Sequence, residues 1–260
     1  MKLKDFCRRM DSIAPQELAM EYDNVGLLIA PEHDEIKKVL VALDCTPTTA
    51  EEAISWGADL LLTHHPILFH PVQNLSGEHS EMIAIRKLMR HGIGHFAAHT
   101  NFDACEGGVN DTLAQHLGLR SVRPLPSEPL GRMGELAEPI PFAEFASRIE
   151  TLLHTTVLSI GSPDTLIRTV GLIGGGGGGE AVKAWQDGCD AYVTGEMRHH
   201  ESLEAQRCGI CCAVAGHYET EVLAMKSLID RLQTEENDVQ YQLTCTERSP
   251  FVRFEGGKHE

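Results

Sequence analysis

Three short runs of apolar residues, continuous rather than alternating, limit most strongly what this chain can fold into. They occur in KKVLVALDCT, ADLLLTHHP and IGHFAAHTN. Strands that are buried on both faces of a mainly parallel sheet have such runs, because neither side of the strand meets water. Helical patterns lie between and after them: TPTTAEEAISWG begins with a threonine and closes at Gly57, EHSEMIAIRKLMRHG closes near Gly92, and GGVNDTLAQHLGL follows. The first half therefore predicts alternating strands and helices.

The second half repeats this order. IRTVGLIGG, DAYVTGE and GICCAVAGH are typical of strands, and GEAVKAWQDG, RHHESLEAQRCG and ETEVLAMKSLIDRLQ are typical of the helices that follow them. Three residue types also recur at a constant offset between the halves, as Gly57, Asp59 and Thr63 and then as Gly188, Asp190 and Thr194. We interpret this as a degenerate internal duplication. The predicted fold class is α/β, duplicated, with mainly parallel or mixed sheets.

The repeat also suggests a domain organisation. We predict a first α/β unit over residues 1–120, a structured connection over 121–168, and a second α/β unit over 169–260. The connection contains several prolines and a helical pattern, FAEFASRIETLLH, and it is neither rich in glycine and serine nor strongly charged, unlike a flexible linker. EYDNVGLLIA predicts a turn and a short strand near the start, and DVQYQLTCT alternates like a final strand.

Charge and cysteine content exclude several classes of protein. The net charge of -16 would repel a phosphate backbone, so nucleic-acid binding is not expected, although a cationic metal site could still attract a single nucleotide. No apolar run approaches a membrane span, and MKLKDFCRRMDSIAP lacks the features of a signal peptide, so we expect a cytoplasmic protein with no membrane contact. The eight cysteines then indicate reduced thiols, and the cluster in RCGICCAVAG indicates buried strand thiols rather than a zinc site.

Potential metal ligands are concentrated just after the predicted strands. In parallel α/β sheets ligands bind beyond the carboxyl ends of the strands. Imidazoles and carboxylates occupy these positions in both halves, namely His64, His65, His99, Asp103, Glu196, His217, Glu219 and Glu221. A pseudo-twofold arrangement of the halves would bring the two sets together. Any one of these histidines alone could instead be a hydrogen-bonded structural residue. Their number at strand ends favours a metal site.

The spacing of these residues suggests how a metal would be held. If a helix begins near His217, its side chain and that of Glu221 share one face and can bind the same ion. His64 and His65 are adjacent strand residues and face opposite ways unless the chain turns at Pro66. Two neighbouring ions would resolve this, each binding one histidine while Asp103 bridges them. Mixed imidazole and carboxylate ligands suit zinc, iron, manganese, cobalt or nickel without choosing among them.

The glycine run from Gly174 to Gly179 offers a rival interpretation. It satisfies the dinucleotide-binding pattern G-x-G-x-x-G, and Glu196 follows at a suitable distance, but a run of glycines satisfies any glycine pattern. A loop that approaches a substrate or partner is equally consistent. Glu180 and Ala181 stand where a Walker A loop needs lysine and serine or threonine, and the nucleophile elbow G-x-S-x-G is absent. An ordinary NTPase or serine hydrolase is therefore not indicated.

Five motifs in order resemble a known family, the Nif-three-like or YbgI-like proteins, which are labelled GTP cyclohydrolase I type 2 homologues. They are YDNVGLLI, GADLLLTHHPILF, HTNFDACEGGVNDTLAQHLGL, DAYVTGEMRHH and AGHYETE, and they span almost the whole chain. The resemblance implies two intertwined, duplicated α/β units with a dinuclear metal centre in the cleft between them. Its ligands would be His64, His65, Asp103, His217 and Glu221. The resemblance also implies a homo-oligomer, specifically a hexameric ring, in a compact form without an inserted domain.

The family does not assign the neighbouring polar residues. Our candidates for catalytic roles are His99, Glu196 and His200. Alternatively, His99 forms hydrogen bonds to a metal ligand without touching the metal. The alternative for Glu196, His199 and His200 is that they lie at the exposed start of a helix. Asp23 and Asn24 are predicted to form a turn near the cleft.

Two functions from different classes follow. One is a metal-dependent hydrolase with two divalent metal ions per chain and a small, nucleotide-like substrate; for the cyclohydrolase label the attacked atom would be C8 of guanine. The other is a non-catalytic metal chaperone or metal storage protein with an exchangeable site. A third possibility, an interaction protein whose cavity binds DNA or a regulator, is disfavoured by the acidity.

Overall fold

The strands form two mixed sheets. A computed structural model describes residues 1–72, 74–234 and 238–252. Within these residues the first sheet contains β1 (Gly26–Ile29), β2 (Lys38–Ala42), β3 (Leu60–Thr63), β4 (Gly94–Ala97) and β11 (Gln240–Leu243), in the spatial order β1-β4-β3-β2-β11. The second contains β5 (Arg120–Leu125), β6 (Glu128–Pro141), β7 (Leu158–Ile160), β8 (Leu166–Ile173), β9 (Ala191–Thr194) and β10 (Cys211–Val214), in the order β5-β6-β8-β9-β10-β7.

Helices connect and cover the strands. They are α1 (Leu3–Ile13), α2 (Pro47–Trp56), α3 (Ser80–Arg90), α4 (Thr100–Ala104), α5 (Val109–His116), α6 (Phe142–Leu153), α7 (Ala181–Gln186), α8 (His199–Cys208), α9 (His217–Glu221) and α10 (Leu223–Leu232). Thr46 caps α2 by accepting a hydrogen bond from the Thr49 N–H, and Gly57 ends it in the left-handed conformation, as the sequence predicts. In the part of the chain that the structure describes, no helix is both long and apolar enough to cross a bilayer.

The internal duplication is visible in equivalent hydrogen bonds. Each sheet has three adjacent parallel strands, β2-β3-β4 in the first and β8-β9-β10 in the second. Asp59 precedes β3, and its carboxylate accepts the N–H groups of residues 37 and 38; Asp190 precedes β9 and accepts those of residues 168 and 169. Thr63 and Thr194, which end the two central strands, each donate to the carbonyl two residues further on. The α/β fold with mixed sheets is confirmed.

Both faces of both sheets are covered, which explains the continuous apolar runs. On the first sheet, α1 and α10 pack on one face and α2 and α3 on the other. On the second sheet, α5 and α6 cover one face and α7 and α8 the other. Strands β3 and β9 are consequently buried at every position.

The two halves of the chain exchange elements. Helix α10 and strand β11 follow the last strand of the second sheet, yet α10 packs on the first sheet and β11 pairs with β2. Conversely, α5 belongs to the first half and contributes Leu113 and Ala114 to the core of the second sheet. The cleft between the sheets is therefore built by segments that are distant in sequence. The division of the chain at residues 120 and 168 stays a prediction.

The segment between the halves contains strands that the sequence did not indicate. Helix α6 forms as predicted, but β5 and β6 extend the second sheet where the sequence predicted a structured connection without strands. Pro129 and Pro141 lie near the two ends of β6, and Pro139 lies where the register with β8 is irregular. Proline cannot donate to a strand ladder, and these positions reduce that cost.

The cysteines are all free thiols. Cys211 and Cys212 are buried in β10, as predicted, whereas Cys208 ends α8 and is partly exposed. The expectation that this cluster consists of buried strand thiols is therefore wrong for Cys208, because the helix ends before the strand begins.

Candidate metal centre

The ends of three strands, β3, β4 and β10, converge on one cleft between the sheets. His64 and His65 directly follow β3, and Asp103 lies on α4 after β4. His217 and Glu221 lie on α9 after β10, one helical turn apart. The five predicted ligands therefore come together, with the ring nitrogens of His65 and His217 only 3.3 Å apart across 152 residues of sequence. Their role as ligands stays a prediction.

One group of possible ligands is fully buried. The Nε2 atom of His64 lies 3.6 Å from Asp103 Oδ1 and 3.8 Å from Glu221 Oε1. The other ring nitrogen, Nδ1, donates to the carbonyl of Ala98 at 2.8 Å. Burial lowers the pKa of His64 to about 3, so the ring is neutral and Nε2 carries a lone pair. That buried Nε2 has no hydrogen-bond partner within the part of the chain that the structure describes. A lone pair that faces carboxylate oxygens at this distance fits a cation between them.

A second group lies beside the first and is partly exposed. The Nε2 atoms of His65 and His217 each lie 3.2 Å from Glu221 Oε2. Their Nδ1 atoms donate to carboxylates, His65 to Asp44 at 2.8 Å and His217 to Glu196 at 3.0 Å. A carboxylate on the far nitrogen orients an imidazole for metal binding and makes it more basic. Both rings thus have the arrangement that metal-binding histidines commonly show.

Glu221 belongs to both groups. Its two oxygens face different sets of ring nitrogens, so one carboxylate can contact two neighbouring cations. Asp103 lies only in the group with His64 and Glu221. Glu221, rather than Asp103, is the residue that these two groups share, and the bridging role that the sequence suggested for Asp103 stays a prediction.

The carboxylates hold protons on the second group when no cation is bound. Burial by itself would lower the pKa of His65, but hydrogen bonds with Asp44 and Glu221 outweigh it and raise the pKa to about 10. Burial would also lower the pKa of His217, but interactions with Glu221 and Glu196 outweigh it and raise the pKa to about 9. Burial would raise the pKa of Glu221, yet hydrogen bonds from both imidazoles hold it well below its usual range. Burial and the Glu221 charge raise the pKa of Asp103 well above its usual range.

We expect cation affinity to rise with pH. Because the pKa values of His65 and His217 lie near 10 and 9, both rings are protonated at neutral pH and must each lose a proton to bind a cation. The affinity should increase by up to about tenfold per displaced proton for each pH unit below these values. Calorimetric titration with Mn²⁺ in buffers of different ionisation enthalpy at pH 6.5, 7.5 and 8.5 measures both the affinity and the protons released. An affinity independent of pH would contradict this protonation scheme.

A third imidazole faces the cleft. The ring of His99 lies 5.1 Å from that of His64 and 5.4 Å from that of His65, measured between centroids, and the three can share a cation. His99 Nδ1 donates to Asp23 Oδ1 at 2.9 Å. The other Asp23 oxygen accepts from the backbone N–H and the hydroxyl of Thr100, and these hydrogen bonds outweigh burial and hold the Asp23 pKa well below its usual range. Asp23 therefore fixes the orientation of His99.

The other two catalytic candidates lie apart from the cleft floor. Glu196 is exposed and contacts the cluster through its hydrogen bond to His217. His200 is exposed on α8, as is His199, and neither belongs to any of the groups that could hold a metal among the described residues. The alternative of an exposed helix start thus describes both histidines.

Sequence reasoning missed Asp44 and Glu247. Asp44 follows β2, so the same search of strand ends would have found it. The Glu247 carboxylate accepts the N–H groups of Leu43 at 2.8 Å and Asp44 at 2.7 Å, and thereby holds the backbone that carries the partner of His65. Nothing in the spacing of residue 247 indicates this contact, because it comes from the C-terminal segment after β11.

The glycine run forms part of the site. Gly175 adopts a left-handed backbone (φ +58°), and a Cβ there would lie 2.0 Å from Glu221 Oε1 and 2.9 Å from His217 Nε2. Its carbonyl accepts the Glu196 N–H. Gly175 therefore has to be glycine because its backbone approaches the cluster, which favours the interpretation of a loop near the site over a dinucleotide-binding turn.

We expect removal of the outer carboxylates to weaken cation binding. Asp44→Asn and Glu196→Gln each remove the charge from a partner of His65 or His217, and such changes typically cost about 10–100-fold in affinity. The control is Glu204→Gln on α8, because Glu204 is also exposed and its ion pair is with Arg207, away from the cluster. Competition with a metal-sensitive dye gives the three affinities. If Asp44→Asn and Glu196→Gln bound Mn²⁺ as tightly as the control and the unmodified protein, the orienting role of these two carboxylates would be wrong.

Comparisons with known proteins cover nearly the whole chain. A family model described as Duf34/NIF3 (NGG1p interacting factor 3) matches residues 1–250. A GTP cyclohydrolase 1 type 2 homolog from Methanocaldococcus jannaschii is 33% identical over 237 residues, which are 90% of this chain and 96% of that protein. Among solved structures, the Staphylococcus aureus hypothetical protein SA1388 matches with a TM-score of 0.90 and 29% identity, covering 98% of this chain and 99% of its own. Reduced HcgD from M. jannaschii matches with a TM-score of 0.83 and 30% identity, covering 94% and 97%.

Proposed function

The chain belongs to the Duf34/NIF3 family, and on this basis we propose that it binds two divalent cations and hydrolyses a small, nucleotide-like substrate. The observation that carries the proposal is the unpartnered Nε2 of His64, which faces two carboxylates in a buried group beside a second group that shares Glu221. Two adjacent groups with one common carboxylate are typical of a dinuclear centre. Zinc, iron, manganese, cobalt and nickel all suit these ligand types.

The residues would divide between the two cations according to the groups. His64, Asp103 and one oxygen of Glu221 would hold the buried cation, and His65, His217 and the other oxygen would hold the partly exposed one. When bound, the cations supply Lewis-acid chemistry that activates water and stabilises developing negative charge. Asp44 and Glu196 keep the two outer imidazoles in position. The glycine run allows the backbone to close against Glu221.

His99 is the residue best placed to move a proton in this scheme. Its Nδ1–H is bound to Asp23, so Nε2 is left as an acceptor, and the ring lies next to those of His64 and His65. In our proposal His99 accepts a proton from the attacking water and later returns it to the leaving group. Asp23 stabilises the charged ring between these steps. Glu196 and His200 take no part in the chemistry beyond the hydrogen bond of Glu196 to His217.

The nucleotide-like substrate is supported by relatives and by the cleft. The relative from M. jannaschii has the name GTP cyclohydrolase 1 type 2 homolog, which refers to a nucleotide. Next to the cluster lies a cavity of about 300 Å³ lined by residues that include Met20, Phe69, Leu130 and Gly176. This volume is at the small end of ligand-binding pockets. The cleft therefore suits one small substrate better than a polymer.

Partial exposure of the outer group favours a second candidate, a metal chaperone or storage protein. The side chains of His65 and His217 are 24% and 33% exposed, whereas His64 is fully buried. A partly exposed cation exchanges with solution more readily than a buried one. On this alternative the outer cation is delivered to another protein and no substrate is turned over.

The decisive experiment combines metal analysis with a substrate screen. Protein loaded with Mn²⁺, Fe²⁺, Co²⁺, Ni²⁺ or Zn²⁺ is incubated with GTP, with other nucleotides and with simple phosphoesters, and formate and phosphate are measured. We expect about two cations per chain and turnover that His99→Gln abolishes without loss of cations. Full cation occupancy with no turnover of any substrate, together with rapid transfer of one cation to a chelator, would replace the hydrolase by the chaperone.

We also propose, from the family resemblance, that the chain forms a homo-oligomer and specifically a hexameric ring. Light scattering coupled to size-exclusion chromatography measures the mass directly. A mass of about six times the 28.6 kDa chain is expected, and a monomer would contradict this proposal.

A further inference from the structure

A row of aromatic rings leads from the surface to the candidate cation ligands. The ring centroids of Tyr22 and Phe69 are 6.3 Å apart, those of Phe69 and His99 are 6.0 Å apart, and those of His99 and His65 are 5.4 Å apart. Tyr22 is 64% exposed and Phe69 is 37% exposed. The two outer rings are thus more accessible than the imidazoles, since the side chains of His99 and His65 are 18% and 24% exposed.

Polar contacts fix the backbone that carries these rings. The Asn24 side chain donates to the carbonyl of Leu68 at 2.5 Å, which ties the turn after Tyr22 to the residue before Phe69. Asp23, between Tyr22 and Asn24, binds His99 and Thr100. The two outer rings are therefore positioned relative to the cluster by short hydrogen bonds, although solvent reaches them. Exposed aromatic side chains held in this way are typical of binding surfaces.

Glycine backbone forms one side of the cavity beside the rings, and carboxylates line another side. Tyr22 and Phe69 line the same cavity of about 300 Å³ as Gly176, where a Cβ would meet no atom within 4 Å. Glu128 and Glu180 also line it, and both are bound to Lys183, at 2.9 and 2.6 Å. Carboxylates accept hydrogen bonds from N–H groups, and aromatic rings and glycine peptides present flat surfaces. A flat ligand with N–H donors matches both walls.

We propose that Tyr22 and Phe69, whose rings are inclined at 72° to each other, form a stacking site where a planar nitrogen heterocycle stacks on one ring and contacts the edge of the other, with its anionic substituent pointing to the cation groups. The proposal rests on the proposed function for the cations at the inner end and adds the chemical class of the ring that the substrate carries. Glu128 or Glu180 receives N–H donors of the ring edge. The row of rings orients the heterocycle so that its substituent lies next to His99 and the cluster.

Binding of two matched probes to the Mn²⁺-loaded protein tests the proposal. Guanosine 5′-monophosphate carries a heterocycle and a phosphate, and ribose 5-phosphate carries the same sugar and phosphate without the ring. Stacking of a base on an aromatic side chain corresponds to about 5- to 150-fold in affinity. We expect the nucleotide to bind more tightly than the sugar phosphate by a factor in this range, as measured by calorimetry. Equal affinities would overturn the proposal.

Variants at the two rings separate stacking from general effects. Tyr22→Leu and Phe69→Leu should each remove most of the preference for the nucleotide, whereas Tyr22→Phe should keep it, and Mn²⁺ content should not change in any of them. Phe251→Leu is the control, because Phe251 is 81% exposed and lines a different cavity. If Tyr22→Leu left the preference intact and instead changed the oligomeric mass, the exposed rings would form a contact between copies of the chain, and the stacking site would be wrong.

The proposed stacking site and the proposed hydrolase activity can each fail their test without the other failing. Ring-selective binding without turnover would remove the hydrolase and leave the stacking site. Turnover of phosphoesters with no preference for those that carry a ring would remove the stacking site and leave the hydrolase.

Discussion

Substituting Glu221 by glutamine is expected to abolish the proposed binding of two cations. Glu221 supplies one oxygen to each of the two groups, and among the described residues it is the only carboxylate that contacts both His65 and His217 through their Nε2 atoms. Loss of its charge should lower the affinity for both cations by more than about 100-fold, the upper end of what changes in outer partners cause. Metal analysis after dialysis should show a fall from about two cations per chain to nearly none. Asp103→Asn should remove only the buried cation.

The Glu221→Gln substitution should also change the pKa values of two imidazoles in the metal-free protein. In Glu221→Gln the pKa values of His65 and His217 should fall from near 10 and 9, because burial, which lowers them, is then opposed by a weaker set of hydrogen bonds. Titration followed by NMR of the imidazole protons measures this. Glu219→Gln is the matched control, since Glu219 lies on the same short helix but in neither group. Two cations retained by Glu221→Gln, with unchanged imidazole titrations, would refute the central role of this carboxylate.

Among the substitutions proposed for this chain, Arg132→Met is expected to cause the largest loss of unfolding free energy. Arg132 lies on β6 and is 3% exposed, and its guanidinium is bound to the Asp111 carboxylate of α5. The same guanidinium donates to the carbonyls of Ala104 and Cys105 at 2.7 and 3.1 Å, at the end of the helix that carries Asp103. Removing it leaves the Asp111 charge without its ion-pair partner and several carbonyls without this donor, which typically costs about 3–5 kcal/mol of unfolding free energy. Urea unfolding measures the loss.

An exposed arginine of the same sheet provides the comparison. Arg168 on β8 pairs with Glu135 of β6 at 3.1 Å, and both side chains are largely accessible to solvent. Arg168→Met should cost no more than about 1 kcal/mol, because solvent screens the pair. Similar unfolding free energies for the two variants would show that Arg132 does not hold α4 and α5 against the second sheet. A selective loss of the buried cation in Arg132→Met would further link this contact to the position of Asp103.

Local patterns were sufficient for much of the fold. The apolar runs that became β3 and β9 needed both faces covered, and α2 shows the predicted threonine cap and terminal glycine. Strand β6 was missed because prolines in a sequence argue against a strand, and only the register with β5 and β8 shows that they lie near its ends and at an irregularity. Asp44 was overlooked although it follows a strand, whereas Glu247 had no local signal.

The sequence by itself determined the alternation of strands and helices, the duplication, and the placement of imidazoles and carboxylates at strand ends. These features depend on local residue patterns and on their recurrence along the chain. Only the tertiary structure decided which atoms face one another. The Nε2 atoms of His65 and His217 meet across 152 residues, Glu221 contacts both groups, and Asp44 and Glu196 bind the far nitrogens of two rings. These contacts depend on how two sheets pack and which way each side chain points, and no spacing along the chain contains that information.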